Sequence, residues 1–232
     1  LKPFDYWVFD DFLDIDLAKK LSSDFIDYND PNWFCYNNPL ENKKTLNNWY
    51  FFPPSTYQFM SYLNSQPFIS FISEVTGTGQ LYPDIGLHGA GWHIHGRGGK
   101  LNVHFDYSIH PKLHLQRKLN IIIYLTEDWN PEWGGNLEFW SHDPITKRPK
   151  DKAEVIDNIF NRAVIFDTTQ NSWHGFPDSL TCPDGIYRKS IAMYYLTKPP
   201  ENVDKRKRAL YSPSKQQLND PKIEELIIQR AT

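Results

Sequence analysis

Apolar residues recur at helical spacing between Asp16 and Tyr28, where Leu17, Leu21, Phe25 and Ile26 share one face behind acidic neighbours. That spacing predicts a first amphipathic helix. Ser55 after Pro53-Pro54 is placed to cap a second helix reaching Asn64, and Pro67 suits the first turn of a third that ends before Gly77. Beyond Gly79 the pattern changes to short apolar or alternating runs separated by Gly, Pro, Asn and Asp, which reads as strands and turns. The candidate strands are 81–87, 100–107, 118–126, 136–141, 162–167 and 188–197. Helices first and strands after predict an α+β, mainly β chain: a helical layer over residues 1–79 supporting an antiparallel sandwich or jelly-roll core over 80–198. Residues 199–232 are polar and proline-punctuated until Ile223, Leu226 and Ile227 resume a helical pattern. They hold too few apolar residues for a core of their own, so they read as a C-terminal tail packed on the single domain 1–198.

Composition narrows the class. At 232 residues one domain is the expectation, and an aromatic content of 16% suits half-buried strands and a walled pocket. The net charge of −3, from 25 basic and 28 acidic residues, supplies no global field for nucleic acid or an anionic membrane, so neither is an expected partner. Lys205-Arg206-Lys207-Arg208 is the one basic run, and it reads as a solvated helix face or tail rather than a localisation signal. Two cysteines, Cys35 and Cys182, are too few for a disulfide framework or a thiolate metal site. A reducing, cytoplasmic setting is therefore expected. No apolar run approaches the length of a membrane span, and no charged-then-apolar leader opens the chain. With Leu1 rather than Met at the start, a removed leader stays open, as does the oligomeric state.

The candidate chemistry begins at His104-Phe105-Asp106. In the strand-like run 101–106, His104 and Asp106 leave one face while Val103 and Phe105 leave the other. Alone the pair says little: with eight His and 232 residues, about 0.7 such His-x-Asp pairs are expected by chance. His174 follows another strand-like run, 163–167, and a short loop, and could bring a third ligand, with Trp173 packing beside it. Two imidazoles and one carboxylate form the set that holds ferrous iron on one face and leaves the other open. Arg188 then opens the run 188–196 with Ser190 on its face, and a five-donor guanidinium suits bidentate capture of a carboxylate. Lys189 is the alternative anchor, although alternation points it to the opposite face. A cupin reading with His93 and His95 as ligands lacks the nearby Glu, since Gly96-Arg97-Gly98-Gly99-Lys100 follows.

These motifs in this order resemble the iron- and 2-oxoglutarate-dependent dioxygenases, and within them the prolyl-hydroxylase-like branch. The likeness covers roughly residues 86–197: His104-Phe105-Asp106, the run 118–129, Gly134-Gly135-Asn136-Leu137-Glu138, His174 and Arg188-x-Ser190. It implies a double-stranded β-helix in which His104, Asp106 and His174 ligate Fe(II). Arg188, with Tyr124 and Ser190, would bind the far carboxylate of the co-substrate 2-oxoglutarate. O2 is the oxidant, succinate and carbon dioxide are co-products, and ascorbate is a candidate reductant. Halogenases of this superfamily lack the carboxylate ligand, so Asp106 implies hydroxylation. The connection from His174 to Arg188 is longer than the family pattern and reads as a loop insertion across Pro177 and 182–185.

Selectivity is assigned to Leu87 through Gly99, whose five glycines suit a mobile lid and whose Trp92, His95 and Arg97 are candidate substrate contacts. The leading expectation is a hydroxylase of an aliphatic carbon in a peptidyl residue or free amino acid. The alternatives are a hydroxylase of a small metabolite or biosynthetic intermediate, and a non-catalytic jelly-roll binding module. A long groove would favour a peptide and a closed pocket a small molecule.

Overall fold

Residues 2–231, the extent described by the computed structural model, form thirteen strands and four α-helices. Leu1 and Thr232, the outer bounds of the predicted segments, lie outside the described residues. In chain order the elements are β1 (Tyr6–Phe9), α1 (Ile15–Ser23), β2 (Phe34–Asn38), β3 (Glu41–Leu46), α2 (Pro54–Leu63), α3 (Gln66–Thr76), β4 (Tyr82–Pro83), β5 (Gly91–His95), β6 (Lys100–Phe105), β7 (Gln116–Tyr124), β8 (Leu137–His142), β9 (Pro149–Ile156), β10 (Ala163–Asp167), β11 (Trp173–Phe176), β12 (Arg188–Thr197), β13 (Leu210–Tyr211) and α4 (Pro221–Ala231). All pairings are antiparallel, in the order β1-β10-β7-β12-β5-β3-β6-β11-β8-β9, with β2 on β3, β4 on β12 and β13 on β6. β3 turns the corner of this curled sheet. Its second half pairs with β5, Lys44 facing Ile94, and its first half pairs with β6, Glu41 facing Leu101.

Period-two alternation sorts the central strands into two faces. Leu119, Ile121 and Ile123 of β7, Ile191, Met193 and Tyr195 of β12, and Trp92 and Ile94 of β5 enter the main core. The helices cover that face with Ala18, Leu21, Met60, Leu63, Ile69 and Ile72. Each Leu, Ile or Met among them, fully buried, contributes about 1.5–3 kcal/mol. The alternate residues line a cavity enclosed by the curl of the sheet.

Local chemistry explains the helix boundaries. Asp14 caps α1, its carboxylate accepting from the amides of Asp16 and Leu17. Pro54 takes the first position of α2, so Ser55 lies inside the helix rather than at its cap. The Ser55 hydroxyl donates instead to Asp24 at 2.5 Å, and Asp24 also accepts from Thr56 and Lys20, tying the end of α1 to the start of α2.

Three sequence expectations change. The predicted helical layer also supplies β1, β2 and β3; the polar residues of β2 and β3 hid their strand character. The strand expected over 81–87 shrinks to the two residues of β4. The glycine-rich segment expected as a lid contains β5, a central strand between β12 and β3. The C-terminal helix forms as expected and packs Ile223 and Ile227 on Leu40 and Tyr211.

One buried charge holds that helix in place. Glu41 is 1% exposed and receives Arg230 of α4 at 2.5 Å and Lys43 at 3.1 Å. Burial opposes its ionisation, but Lys43 and Arg230 prevail and hold the carboxyl at about 2, below its ordinary 4.5. A folded-state value below the unfolded one makes the stabilisation complete above pH 4.5 and lost as pH falls toward 2. Its size is on the order of 3 kcal/mol. We expect Glu41→Gln to lower the urea midpoint at neutral pH and the gap to wild type to close as unfolding is repeated at progressively more acid pH. A pH-independent gap would mean that the carboxylate charge does not dock α4.

Candidate active site

β6 and β11 pair so that His174 lies directly opposite His104, their ring centroids 4.3 Å apart. Asp106 follows immediately after β6. The close approach depends on Gly175, where a Cβ would sit 2.7 Å from the Leu101 carbonyl oxygen. All three side chains are buried, and one donor atom from each lies within 4.8 Å of the others. The His104 Nδ1–H donates to the Asn102 carbonyl at 3.0 Å, and the His174 Nδ1–H donates to the Ser172 carbonyl at 2.8 Å. Those bonds select the tautomer whose Nε2 lone pair faces inward. The two Nε2 atoms stand 3.6 and 3.9 Å from the Asp106 oxygens, too far for hydrogen bonds.

Electrostatics keeps this donor set ready for a cation. Burial, then the His104 ring beside it, lowers the His174 imidazole to about 4, so it is neutral near pH 7. Burial opposes the charge on Asp106, yet Arg117 and the two imidazoles hold its carboxyl far below the usual range. Its Oδ2 is buried with no hydrogen-bond partner among the described residues. Two inward lone pairs and an ionised oxygen without a partner fit a divalent metal.

Arg188 opens β12 and is 3% exposed. Its Nε donates to the Gly135 carbonyl at 2.8 Å, and its guanidinium lies over the rings of Tyr124 and Phe176. Burial lowers its pKa, and Tyr124 is the one group that offsets this; among the described residues no carboxylate does. Ser190 is the next inward residue and lines the same cavity, whose volume is about 350 Å³. The buried Tyr124 hydroxyl lies against Arg188 without completing a hydrogen bond of good geometry. Lys189 turns away, donating to the Ser22 carbonyl at 3.0 Å.

The expected substrate contacts divide. His95 faces Arg188 across β5 and β12 and lines the cavity, with neither ring nitrogen hydrogen-bonded among the described residues. Trp92 is corrected: it enters the opposite core, stacked on Phe25 at 4.7 Å, because alternation puts it on the face away from His93 and His95. Arg97 is corrected as well, being exposed at a turn outside the cavity lining. Trp173 likewise turns from the donor set toward Phe105 and His142.

Other lining residues escaped the sequence reading. Arg117 is sandwiched between the rings of Tyr107 at 3.5 Å and Tyr194 at 3.2 Å, with Nη1 3.5 Å from Asp106. Tyr211 of β13 stacks on His104 at 5.3 Å, and Lys207 and Arg208 line the cavity just before it. Alternation along β7 would align Arg117 with Leu119 and Ile121 on the core face; the register shift against β12 between Tyr195 and Leu196 turns it to the cavity instead, which no sequence period announces. The tail gave no signal either, because its approach depends on pairing between β13 and β6.

A family model described as the 2OG-Fe(II) oxygenase superfamily matches residues 90–196, the stretch that carries all of these strand-borne donors. Residues 90–196 are a 2OG-Fe(II) oxygenase domain. The enzyme class is thus 2-oxoglutarate-dependent dioxygenase, with Fe(II), 2-oxoglutarate and O2 as its requirements. No curated protein matches the chain in sequence. Solved structures share the fold. A prolyl hydroxylase from Trichoplax adhaerens, in complex with a hypoxia inducible factor oxygen degradation domain peptide fragment, superposes with a TM-score of 0.59 at 15% identity, covering 82% of this chain and 83% of that one. A Pseudomonas putida prolyl-4-hydroxylase gives 0.54 at 14%, covering 84% and 94%. HygX from Streptomyces hygroscopicus with nickel and 2-oxoglutarate bound gives 0.55 at 11%, covering 84% and 83%.

Gly135 offers a test of how Arg188 is held. Its φ is +82°, and a Cβ there would lie 2.9 Å from Arg188 Cδ and 2.8 Å from Leu180 Cδ2. We expect Gly135→Ala to displace the guanidinium and weaken 2-oxoglutarate binding tenfold or more, about 1.4 kcal/mol, with Fe(II) affinity retained. Equal loss of both affinities in equilibrium titrations would indicate general unfolding of the site instead.

Proposed function

We propose that this chain hydroxylates an aliphatic carbon of a peptidyl residue or free amino acid, with His104, Asp106 and His174 holding Fe(II). Arg188 receives the distal carboxylate of 2-oxoglutarate, assisted by Tyr124 and Ser190. The observation that carries the reading is a buried guanidinium, without a carboxylate partner among the described residues, in the same cavity as a two-imidazole, one-carboxylate cluster. Burying an unpaired charge costs several kcal/mol, and a non-catalytic binding module would have no use for that cost.

Ferrous iron with 2-oxoglutarate supplies the oxygen activation needed to oxidise an unactivated carbon. The protein's part is binding, orientation and exclusion of water. The backbone acceptors at Asn102 and Ser172 keep both imidazoles in the ligating tautomer. Tyr211 and Phe166 pack on the two rings and limit their rotation. Aromatic and aliphatic walls at Tyr107, Ile122, Leu137, Phe176 and Tyr194 shield the space in which the substrate carbon must sit.

The structural neighbours support a hydroxylase and leave room for a second reading. One is in complex with a peptide fragment, whereas HygX is also seen with hygromycin B. A cavity of about 350 Å³ is also compatible with a small metabolite.

Anaerobic addition of Fe(II) and 2-oxoglutarate to the wild type should produce a metal-to-ligand charge-transfer band, absent in His104→Ala. A wild type that never develops the band would overturn the metal assignment. Arg188→Ala should retain Fe(II) while its affinity for 2-oxoglutarate falls a hundredfold, about 2.7 kcal/mol; loss of iron would show that the anchor is misplaced. Succinate release screened across prolyl peptides, free amino acids and metabolites would identify the substrate class.

A further inference from the structure

We propose that the mouth of the cavity selects a small substrate bearing an oxyanion, a carboxylate or phosphate, and that Lys207 and Arg208 receive it. The inference rests on the proposed loading of the site with Fe(II) and 2-oxoglutarate. Six cationic side chains, Lys43, Arg117, Arg188, Lys207, Arg208 and Arg230, line the cavity against two carboxylates, Glu41 and Asp106. That is an excess of four positive charges within a chain whose formal net charge is −3. Fe(II) and the 2-oxoglutarate dianion cancel one another, so loading the site leaves the excess intact.

Most of these cations have assigned partners. Arg188 serves 2-oxoglutarate, Arg117 faces Asp106 and the His88 carbonyl, and Lys43 and Arg230 share Glu41. Lys207 and Arg208 are exposed at the mouth, and neither forms an ion pair among the described residues. Their backbone is nevertheless fixed. The Arg206 carbonyl accepts from the amides of Ser108 at 2.9 Å and Ile109 at 3.1 Å, and its Nη1 donates to the Phe105 carbonyl at 3.1 Å. Arg206 is thereby spent on anchoring the run, which leaves the next two residues to face the cavity.

The register gives the scale. Tyr211 lies opposite His104, and Arg208 is three residues upstream, a span of at most about 10 Å of chain. A molecule with its reacting carbon beside the metal cluster and its charge at Arg208 is therefore small. Cations that line one cavity are only partly screened from one another by salt, whose Debye length is about 8–10 Å, so their attractions for an entering anion reinforce one another.

The test uses the full chain loaded with Ni(II) and 2-oxoglutarate, titrated calorimetrically with inorganic phosphate and with acetate. Saturable binding of at least one anion is expected in the wild type, weakened tenfold or more in Lys207→Glu/Arg208→Glu. A milder loss is expected in Lys207→Gln/Arg208→Gln, which guards against a folding defect. No saturable binding in the wild type, or equal binding in the charge-reversed variant, overturns the proposal. In the Fe(II)-loaded enzyme, succinate release is then compared between free amino acids and their amides, and between phosphate monoesters and their parent alcohols. The charged members should have at least tenfold higher kcat/KM, and the preferred pair separates carboxylate from phosphate. Preference for the neutral members, or for an uncharged peptide, overturns it. Absence of the charge-transfer band in the wild type would instead sink the underlying metal assignment, so the two failures are distinguishable.

Discussion

A guanidinium taken out of water without a carboxylate beside it is an expensive thing for a fold to hold, and the arrangement around Arg188 is built to tolerate it. Removing an ion from water costs several kcal/mol even after relaxation. Part of that is recovered by the Gly135 carbonyl and by the faces of Tyr124 and Phe176. The carbonyl is itself delivered by packing. Trp129, Phe176, Leu180 and Cys182 form a small core beneath the loop, and the Trp129 indole donates to the Gly134 carbonyl at 2.9 Å. Apolar burial in the connection between His174 and Arg188 thus stabilises a polar contact in the cavity. What the protein leaves unsatisfied, a dianionic co-substrate can supply.

The same sheet solves two problems because its side chains alternate. On β7 and β12 the outward residues form the core under the helices, while Asn120, Ile122, Ser190, Ala192 and Tyr194 line the cavity. A shift of register by one residue would exchange these sets and place Arg188 in an apolar core. Specification of the site and specification of the core are therefore one constraint. On β5 the rule is most visible: Trp92 and Ile94 bury against the helices while His93 and His95 face the charges of Lys43 and Arg188, which, after burial, disfavour protonation of both rings.

That alternation is also why much of the site was legible in sequence and part of it was not. The runs of β6, β7, β10 and β12 are apolar enough to read as strands, and their facing residues followed directly. β5 is short and flanked by glycines and polar residues, so it read as a lid, and its Trp92 was assigned to the wrong face. β2 and β3 carry Asn, Lys and Glu because one side borders solvent or the charged cavity wall, which erases the apolar period. The tail poses a different difficulty. Nothing local in Lys205 to Tyr211 announces a cavity wall; its placement follows from two residues of β13 pairing with β6 and from Glu41 binding Arg230 across 189 positions of chain. Long-range contacts of this kind have no periodic signature.

Arg117 shows how the pieces combine at Asp106. The tyrosine rings on either side and the His88 carbonyl fix its guanidinium, and the guanidinium faces Asp106 Oδ1 at 3.5 Å. Oδ2 is left on the side of His174, without a hydrogen-bond partner among the described residues. The two oxygens therefore do different work: one is electrostatically balanced by the protein, and the other is left for a cation. An Asp held in this way is an oriented ligand as well as an ionised one, because rotation of the carboxylate would move Oδ1 away from the only cationic side chain that reaches it among the described residues. The His-x-Asp pair is near the chance rate as a sequence pattern. It becomes a directed donor set through neighbours that the pattern does not contain.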